Sequence, residues 1–189
     1  MSKPKVFVID NYDSFTYNLV HDLKDLGCEL TIKRNDGFNL GELKRYDYIL
    51  ISPGPGLPEE SGFLLEAIKK YAPTKNILGV CLGQQAIAES FGGSLLNLNQ
   101  VYHGVATDIH ITKHDDLFIG LPSVFKAGRY HSWVVKTSLP SCLIPTSFDS
   151  EGQIMSLRHE SYQVRSVQFH PESILTPLGK KILENWLNT

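Results

Sequence analysis

The sequence predicts an α/β fold: an open, mostly parallel central sheet flanked by helices, with a small additional antiparallel sheet. Three observations carry that prediction. Short apolar runs and helical patterns alternate through the first half of the chain, the order that builds parallel strands with right-handed crossovers. Those runs are apolar at successive positions, as strands buried on both faces are. After Gly92-Gly93 the pattern changes to short alternating runs, which predicts strands and turns with some antiparallel pairing from Ser94 to Gln168.

Taken in order, Lys5 to Asp10 is the first strand. Asp13 or Ser14 caps the helix that follows; Phe15, Leu19, Leu23 and Leu26 keep helical spacing and Gly27 ends it. Cys28 to Lys33 reads as the second strand, and Tyr48 to Ile51 as the third, running into a Pro-Gly-rich loop. Ser61 to Tyr71 is helical, with Leu64, Leu65, Ile68 and Tyr71 on one side. Another apolar run starts at Asn76 and ends at Cys81, and a helical pattern begins directly after it. At the far end Thr176 is the expected cap and Pro177 the first helical residue, with Leu178, Ile182, Leu183, Trp186 and Leu187 packing inward. No repeat, low-complexity tract or linker interrupts the pattern, so residues 1–189 read as a single domain.

Composition excludes several classes. The formal net charge is -2 with mixed signs, which argues against a nucleic-acid or membrane surface. The apolar runs are too short to span a bilayer, and the N-terminus leads straight into a strand, so no signal peptide is expected. The three cysteines, Cys28, Cys81 and Cys142, are far apart, which predicts no disulfide framework and a cytoplasmic home. Cys28 and Cys142 lie in apolar runs and read as core. Metal-ligand spacing is absent; His110 and His114 have the spacing to share a helix face, but Asp108 to Thr112 alternates like a strand, and both read as surface residues.

Chemistry concentrates at Gly79-Val80-Cys81-Leu82-Gly83. This is the G-x-S-x-G layout of a strand-to-helix elbow with cysteine in the serine place. The glycines permit the sharp turn that exposes a nucleophile, and the helix behind it favours a developing anion. A buried, inert thiol is the plainer reading of a lone cysteine. Against that reading stands Val167-Gln168-Phe169-His170-Pro171-Glu172, a second strand expected to end in a histidine with a carboxylate two residues on. A thiol nucleophile needs a base, and the base needs an orienting group. Cys81, His170 and Glu172 fill those roles if the two strands are neighbours.

Ser52-Pro53-Gly54-Pro55-Gly56 lacks the lysine and the spacing of a phosphate loop. It reads either as an ordinary turn or as a loop whose amides approach a substrate beyond the strand ends. Arg129-Tyr130-His131-Ser132-Trp133 reads equally as an exposed strand end or as part of a site. His131 competes with His170 as the base; His170 is preferred because it brings its own carboxylate. Asp10-Asn11-Tyr12-Asp13-Ser14 reads most simply as a loop and helix cap, with polar groups lining the active face as the alternative.

Together these stretches, with His103-Gly104, resemble the class I (triad) glutamine amidotransferases. The opening Asp10-Asn11-Tyr12-Asp13-Ser14-Phe15-Thr16-Tyr17-Asn18 resembles most the glutaminase subunit shared by anthranilate synthase and aminodeoxychorismate synthase. The resemblance implies a flavodoxin-like fold and glutamine hydrolysis through a cysteine thioester. It implies Cys81 as nucleophile, His170 as base and Glu172 as its orienter. The amides of Gly56 and Leu82 would form the oxyanion hole, and Gly54, Pro55, Gly56, Gln85, Ser132 and Trp133 would hold glutamine. No cofactor is implied in this chain; magnesium is expected in a chorismate-binding synthase subunit that receives the ammonia. The product implied first is anthranilate, for tryptophan; the alternatives are aminodeoxychorismate, for folate, or both. More distant readings are a γ-glutamyl hydrolase, a cysteine peptidase and a non-catalytic regulatory subunit. The chain departs from the family in having Gln84 where histidine is frequent and Val105 where lysine is frequent.

Overall fold

The computed structural model describes residues 3–189. In chain order the elements are β1 (Lys5–Asp10), α1 (Thr16–Asp25), β2 (Glu29–Arg34), β3 (Tyr48–Ile51), α2 (Leu64–Tyr71), β4 (Asn76–Val80) and α3 (Leu82–Ser90). There follow β5 (Leu95–Asn97), β6 (Val105–Ile111), β7 (Val124–Arg129), β8 (Trp133–Val135), β9 (Leu143–Phe148), β10 (Ile154–His159), β11 (Val164–Val167) and α4 (Gly179–Leu187). Among the described residues no helix is long and apolar enough to cross a membrane.

The main sheet has nine strands in the order β2-β1-β3-β4-β11-β10-β9-β6-β7, and β5 pairs with β8 in a separate two-stranded sheet. From β2 to β11 every ladder is parallel; from β11 to β7 every ladder is antiparallel. The predicted open sheet and small antiparallel sheet are therefore both present. The antiparallel strands predicted after Gly92 mostly extend the main sheet.

Alternation along the central strands divides the core. Val6 and Val8 of β1 face a cluster with Leu19, Val20 and Leu23 of α1 and Ile182, Leu183 and Trp186 of α4. Phe7 and Ile9 face the opposite cluster, with Leu64, Ala67 and Ile68 of α2 and Ala86 to Ala88 of α3. Both faces of the parallel half are thus covered, which is why its strands read as continuous apolar runs.

Three local expectations change. Helix α1 starts at Thr16, and Asp13 acts a turn earlier, its Oδ1 accepting from the Phe15 amide at 2.7 Å. Helix α4 starts at Gly179 without a side-chain cap. The Thr176 hydroxyl is occupied elsewhere, donating to the His170 carbonyl at 2.6 Å and accepting from the Gly128 amide at 2.9 Å. Cys28 and Cys142 are half-buried at the margins of the two clusters; both lie near the ends of strands, where sheet faces meet solvent. His110 is half-buried on β6 and His114 is exposed.

Candidate active site

Cys81 stands between β4 and α3 with a strained backbone, φ 54° and ψ -101°. Such a conformation costs a non-glycine residue on the order of 1–3 kcal/mol and persists only where its surroundings impose it. Two glycines impose it. A Cβ on Gly79 would lie 2.5 Å from the Gly83 backbone, and one on Gly83 would lie 2.8 Å from the Ile51 carbonyl oxygen. Strand and helix approach more closely than side chains permit, so the chain reverses sharply at Cys81. The amides of Gln84 and Gln85 donate to the Cys81 carbonyl at 3.0 and 3.2 Å. Leu82 opens the helix, so no intrahelical carbonyl reaches its amide.

The second half of the site comes from β11, which pairs in parallel with β4 and sets Val167 opposite Val80. The strand stops at Val167, and the chain continues to His170, which bridges to Gly128. His170 Nδ1 lies 2.7 Å from Glu172 Oε1, and both side chains are buried. Phe15 and Tyr130 pack edge-on against the imidazole at 5.4 and 4.8 Å between ring centroids. Burial opposes the charged ring, but the Cys81 sulfur and the Glu172 carboxylate beside it outweigh that and raise its pKa to about 10. Nε2 makes no well-formed hydrogen bond among the described residues. The arrangement groups a thiol, an imidazole that holds a proton and a buried carboxylate.

The loop after β3 is anchored by Asn11. Its amide donates to Ser52 Oγ at 2.9 Å, and its Nδ2 to the Ser52 carbonyl at 2.8 Å. Asn35 Nδ2 donates to Asn11 Oδ1 at 3.0 Å and fixes the side chain's orientation. Asn11 thus serves the site through the glycine loop rather than by lining it.

Gly54, Pro55 and Gly56 face Cys81, Gln85, Ser132 and Trp133 across a cavity of about 380 Å³. All the residues predicted to hold glutamine therefore meet at one opening. His170 and Glu172 sit behind Cys81, outside the lining. The wall of the same cavity also includes Tyr102, His103, Tyr130 and His131. Behind it lies buried Arg129, whose Nη1 donates to Asp149 at 2.7 Å, Nη2 to Gln153 at 2.6 Å and Nε to His131 Nε2 at 3.1 Å. Its guanidinium also stacks 3.6 Å over the Tyr102 ring. Burial and the Arg129 charge push the His131 pKa down to about 3. The His131 ring stays neutral and already accepts from Arg129 on Nε2, whereas His170 stands beside the Cys81 sulfur with the Glu172 carboxylate on Nδ1.

Gln85 Nε2 donates to the Trp133 carbonyl at 3.0 Å. Gln84 is buried away from the cavity, bonded to Ser166 and Ile154, and Val105 is an exposed residue outside the lining. Neither family departure touches the site. Sequence reasoning missed Tyr102 and the Arg129–Asp149 pair, whose only local signal is an arginine beside the Tyr-His-Ser stretch. Among the described residues no cluster of three or more His, Cys, Asp or Glu is arranged for a metal ion.

Comparison with known proteins agrees with this geometry. The family model for class-I glutamine amidotransferases matches residues 7–189. An aminodeoxychorismate/anthranilate synthase component 2 from Bacillus subtilis is 48% identical, with 97% of this chain and 96% of that protein aligned. An anthranilate synthase component 2 from Thermus thermophilus is 47% identical over 97% of this chain and 91% of its own length. A provisionally assigned GMP synthase subunit from Thermoplasma acidophilum superposes with a TM-score of 0.89 at 27% identity, covering 100% of this chain and 94% of that one. With its thiol elbow, buried His-Glu pair and glycine loop all carried on the expected sheet, the chain belongs to the class-I glutamine amidotransferase family.

Proposed function

We infer that this chain is the glutaminase subunit of a chorismate-aminating synthase, with anthranilate synthase as the first choice. The observation that carries the reading is Cys81 on a strained elbow at the base of the cavity, with the His170–Glu172 pair behind it. The names of the two relatives above support the choice of synthase.

In the proposed reaction the Cys81 thiolate attacks the glutamine carboxamide carbon. The amides of Gly56 and Leu82 hold the oxyanion. One such donor is worth roughly 3 kcal/mol of barrier. Protonated His170 gives its proton to the departing ammonia, leaving a glutamyl thioester and a neutral ring. That ring takes a proton from the attacking water, glutamate leaves, and the thiolate and imidazolium are restored. Glu172 orients Nδ1 throughout. Gly54, Pro55, Gln85, Ser132 and Trp133 line the space that glutamine would fill.

Ammonia in water at neutral pH is mostly ammonium and is not a nucleophile, so the product must pass shielded to the partner. The partner subunit binds chorismate and its magnesium, and this chain needs no cofactor. On this reading the complex is cytoplasmic, a compartment in which three free thiols persist. Because the Bacillus subtilis relative is named for both synthases, service to both partners is the second reading.

The test combines this chain with each candidate synthase subunit, chorismate, magnesium and glutamine, with Cys81→Ala as control. Glutamine-dependent anthranilate that disappears in the variant supports the first reading, and both products support the second. Glutamine hydrolysis without either product removes the chorismate assignment.

A further inference from the structure

Gln168 is fully buried two residues before His170, and the triad leaves it without a role. Its Nε2 lies 3.5 Å from Cys81 Sγ, and its Oε1 lies 3.3 Å from Gln85 Nε2. We propose that Gln168 is an additional catalytic residue, whose amide donates a hydrogen bond to the attacking sulfur and ties it through Gln85 to the wall of the substrate cavity.

The direction of this relay follows from donor and acceptor chemistry. The Trp133 carbonyl can only accept, so the Gln85 atom 3.0 Å from it is the NH₂ group. That group has a second hydrogen, which is directed at Gln168. The Gln168 atom receiving it must be the carbonyl oxygen, and this turns the Gln168 NH₂ toward Cys81. One backbone carbonyl in the substrate wall therefore sets the polarity of two buried amides so that a donor faces the nucleophile. A donor favours the thiolate over the thiol, because a hydrogen bond to an ion is stronger than one to a neutral group. The sulfur is then held from one side by Gln168, leaving its other side for the carboxamide carbon. Trp133 lines the cavity and is bonded to the same relay, so movement of that wall on substrate binding reaches the sulfur through two side chains. The assignment to glutamine turnover rests on the function proposed above; the hydrogen bond to sulfur does not.

Two variants separate these elements. Gln168→Met keeps the volume and removes both hydrogen bonds. Gln168→Glu keeps an acceptor for Gln85 and sets an anion against the sulfur. The first measurement is the rate of Cys81 alkylation by iodoacetamide at fixed neutral pH, resolved by peptide mass spectrometry. Cys28 and Cys142, both half-buried, are internal controls for global loosening. Expected is a fall of about ten- to one-hundred-fold at Cys81 in Q168M, at least as large a fall in Q168E, and unchanged rates at the other two thiols. Unchanged Cys81 alkylation in a folded variant overturns the proposal. If one variant does not fold, the other decides. In the wild type, capping Cys81 must also shift the Gln168 side-chain amide resonances, and unmoved resonances overturn the contact. In the synthase complex, kcat should fall by a similar factor with the glutamine KM within about twofold; a defect confined to KM overturns the catalytic role. A wild type that hydrolyses no glutamine removes the proposed function, while the alkylation rates still decide the Gln168 contact.

Discussion

The Cys81 amide donates to the Val167 carbonyl at 2.8 Å, so the strand that leads to His170 also fixes the backbone of the cysteine. Thiol and imidazole are set relative to each other by a sheet hydrogen bond rather than by a flexible loop. Strain at one end of that bond has a measurable signature.

Glycine adopts the φ of 54° seen at Cys81 without penalty, and alanine does not. Cys81→Gly and Cys81→Ala should both abolish glutaminase activity. The glycine variant should nonetheless be the more stable of the two by about 1 kcal/mol. Urea unfolding of the pair checks this, and an alanine variant that is the more stable would remove the strain argument.

Gly79→Ala places a methyl group 2.5 Å from the Gly83 backbone, which has no side chain to rotate away. Either β4 or α3 must shift. The expected cost is about 3 kcal/mol or more, with loss of activity because the elbow opens. Denaturant midpoints and glutaminase assays on the same preparation test both halves.

The Arg129–Asp149 pair is almost wholly shielded from solvent, with side chains 1% and 2% exposed. Asp149→Ala leaves a buried cation without its carboxylate, which costs about 3–5 kcal/mol. Arg129 also holds Tyr102 and His131 on the cavity wall. The variant should therefore raise the glutamine KM more than it lowers kcat. Steady-state kinetics in the synthase complex report the split.

His131 makes the fold acid-sensitive. Its folded pKa of about 3 lies below the usual value of 6.5, so the unfolded chain binds its proton first as pH falls. The stabilisation from the neutral ring is complete above about 6.5 and is lost as pH falls toward 3. Between pH 7 and pH 5 the wild type should lose on the order of 2 kcal/mol more than His131→Asn. Arg129 and His170 are the charged neighbours that depress the ring, and both remain in the variant. Equal losses in the two proteins would contradict the assignment.

The parallel half of the fold is legible in the sequence because its strands are buried on both faces and leave continuous apolar runs, as in Lys5–Asp10 and Tyr48–Ile51. The elbow is legible because its glycines lie close beside the cysteine. Gln168 shows in the sequence only as part of a motif, since its contacts to Cys81 and Gln85 span 87 and 83 residues. Asp149 is invisible for the same reason: its partner lies on β7, 20 residues away. Thr176 has the sequence context of a helix cap, while its hydroxyl is drawn to the His170 carbonyl by a tertiary contact. Local pattern shows what a segment can do, and distant partners decide what it does.

Strand β11 is the last of the sheet in the chain but lies in its interior, between β4 and β10. A folding chain can form β1 to β4 from nearby sequence, but it must leave the edge of β4 open until residues 164–167 arrive. Contacts over such separations slow folding because the loop must close before any contact repays the cost. Docking of β11 closes the sheet and brings His170 toward Cys81 in the same event. A chain halted before that event presents two open strand edges, at β4 and β10, beyond those at β2 and β7, which makes slow closure the point at which self-association competes with folding.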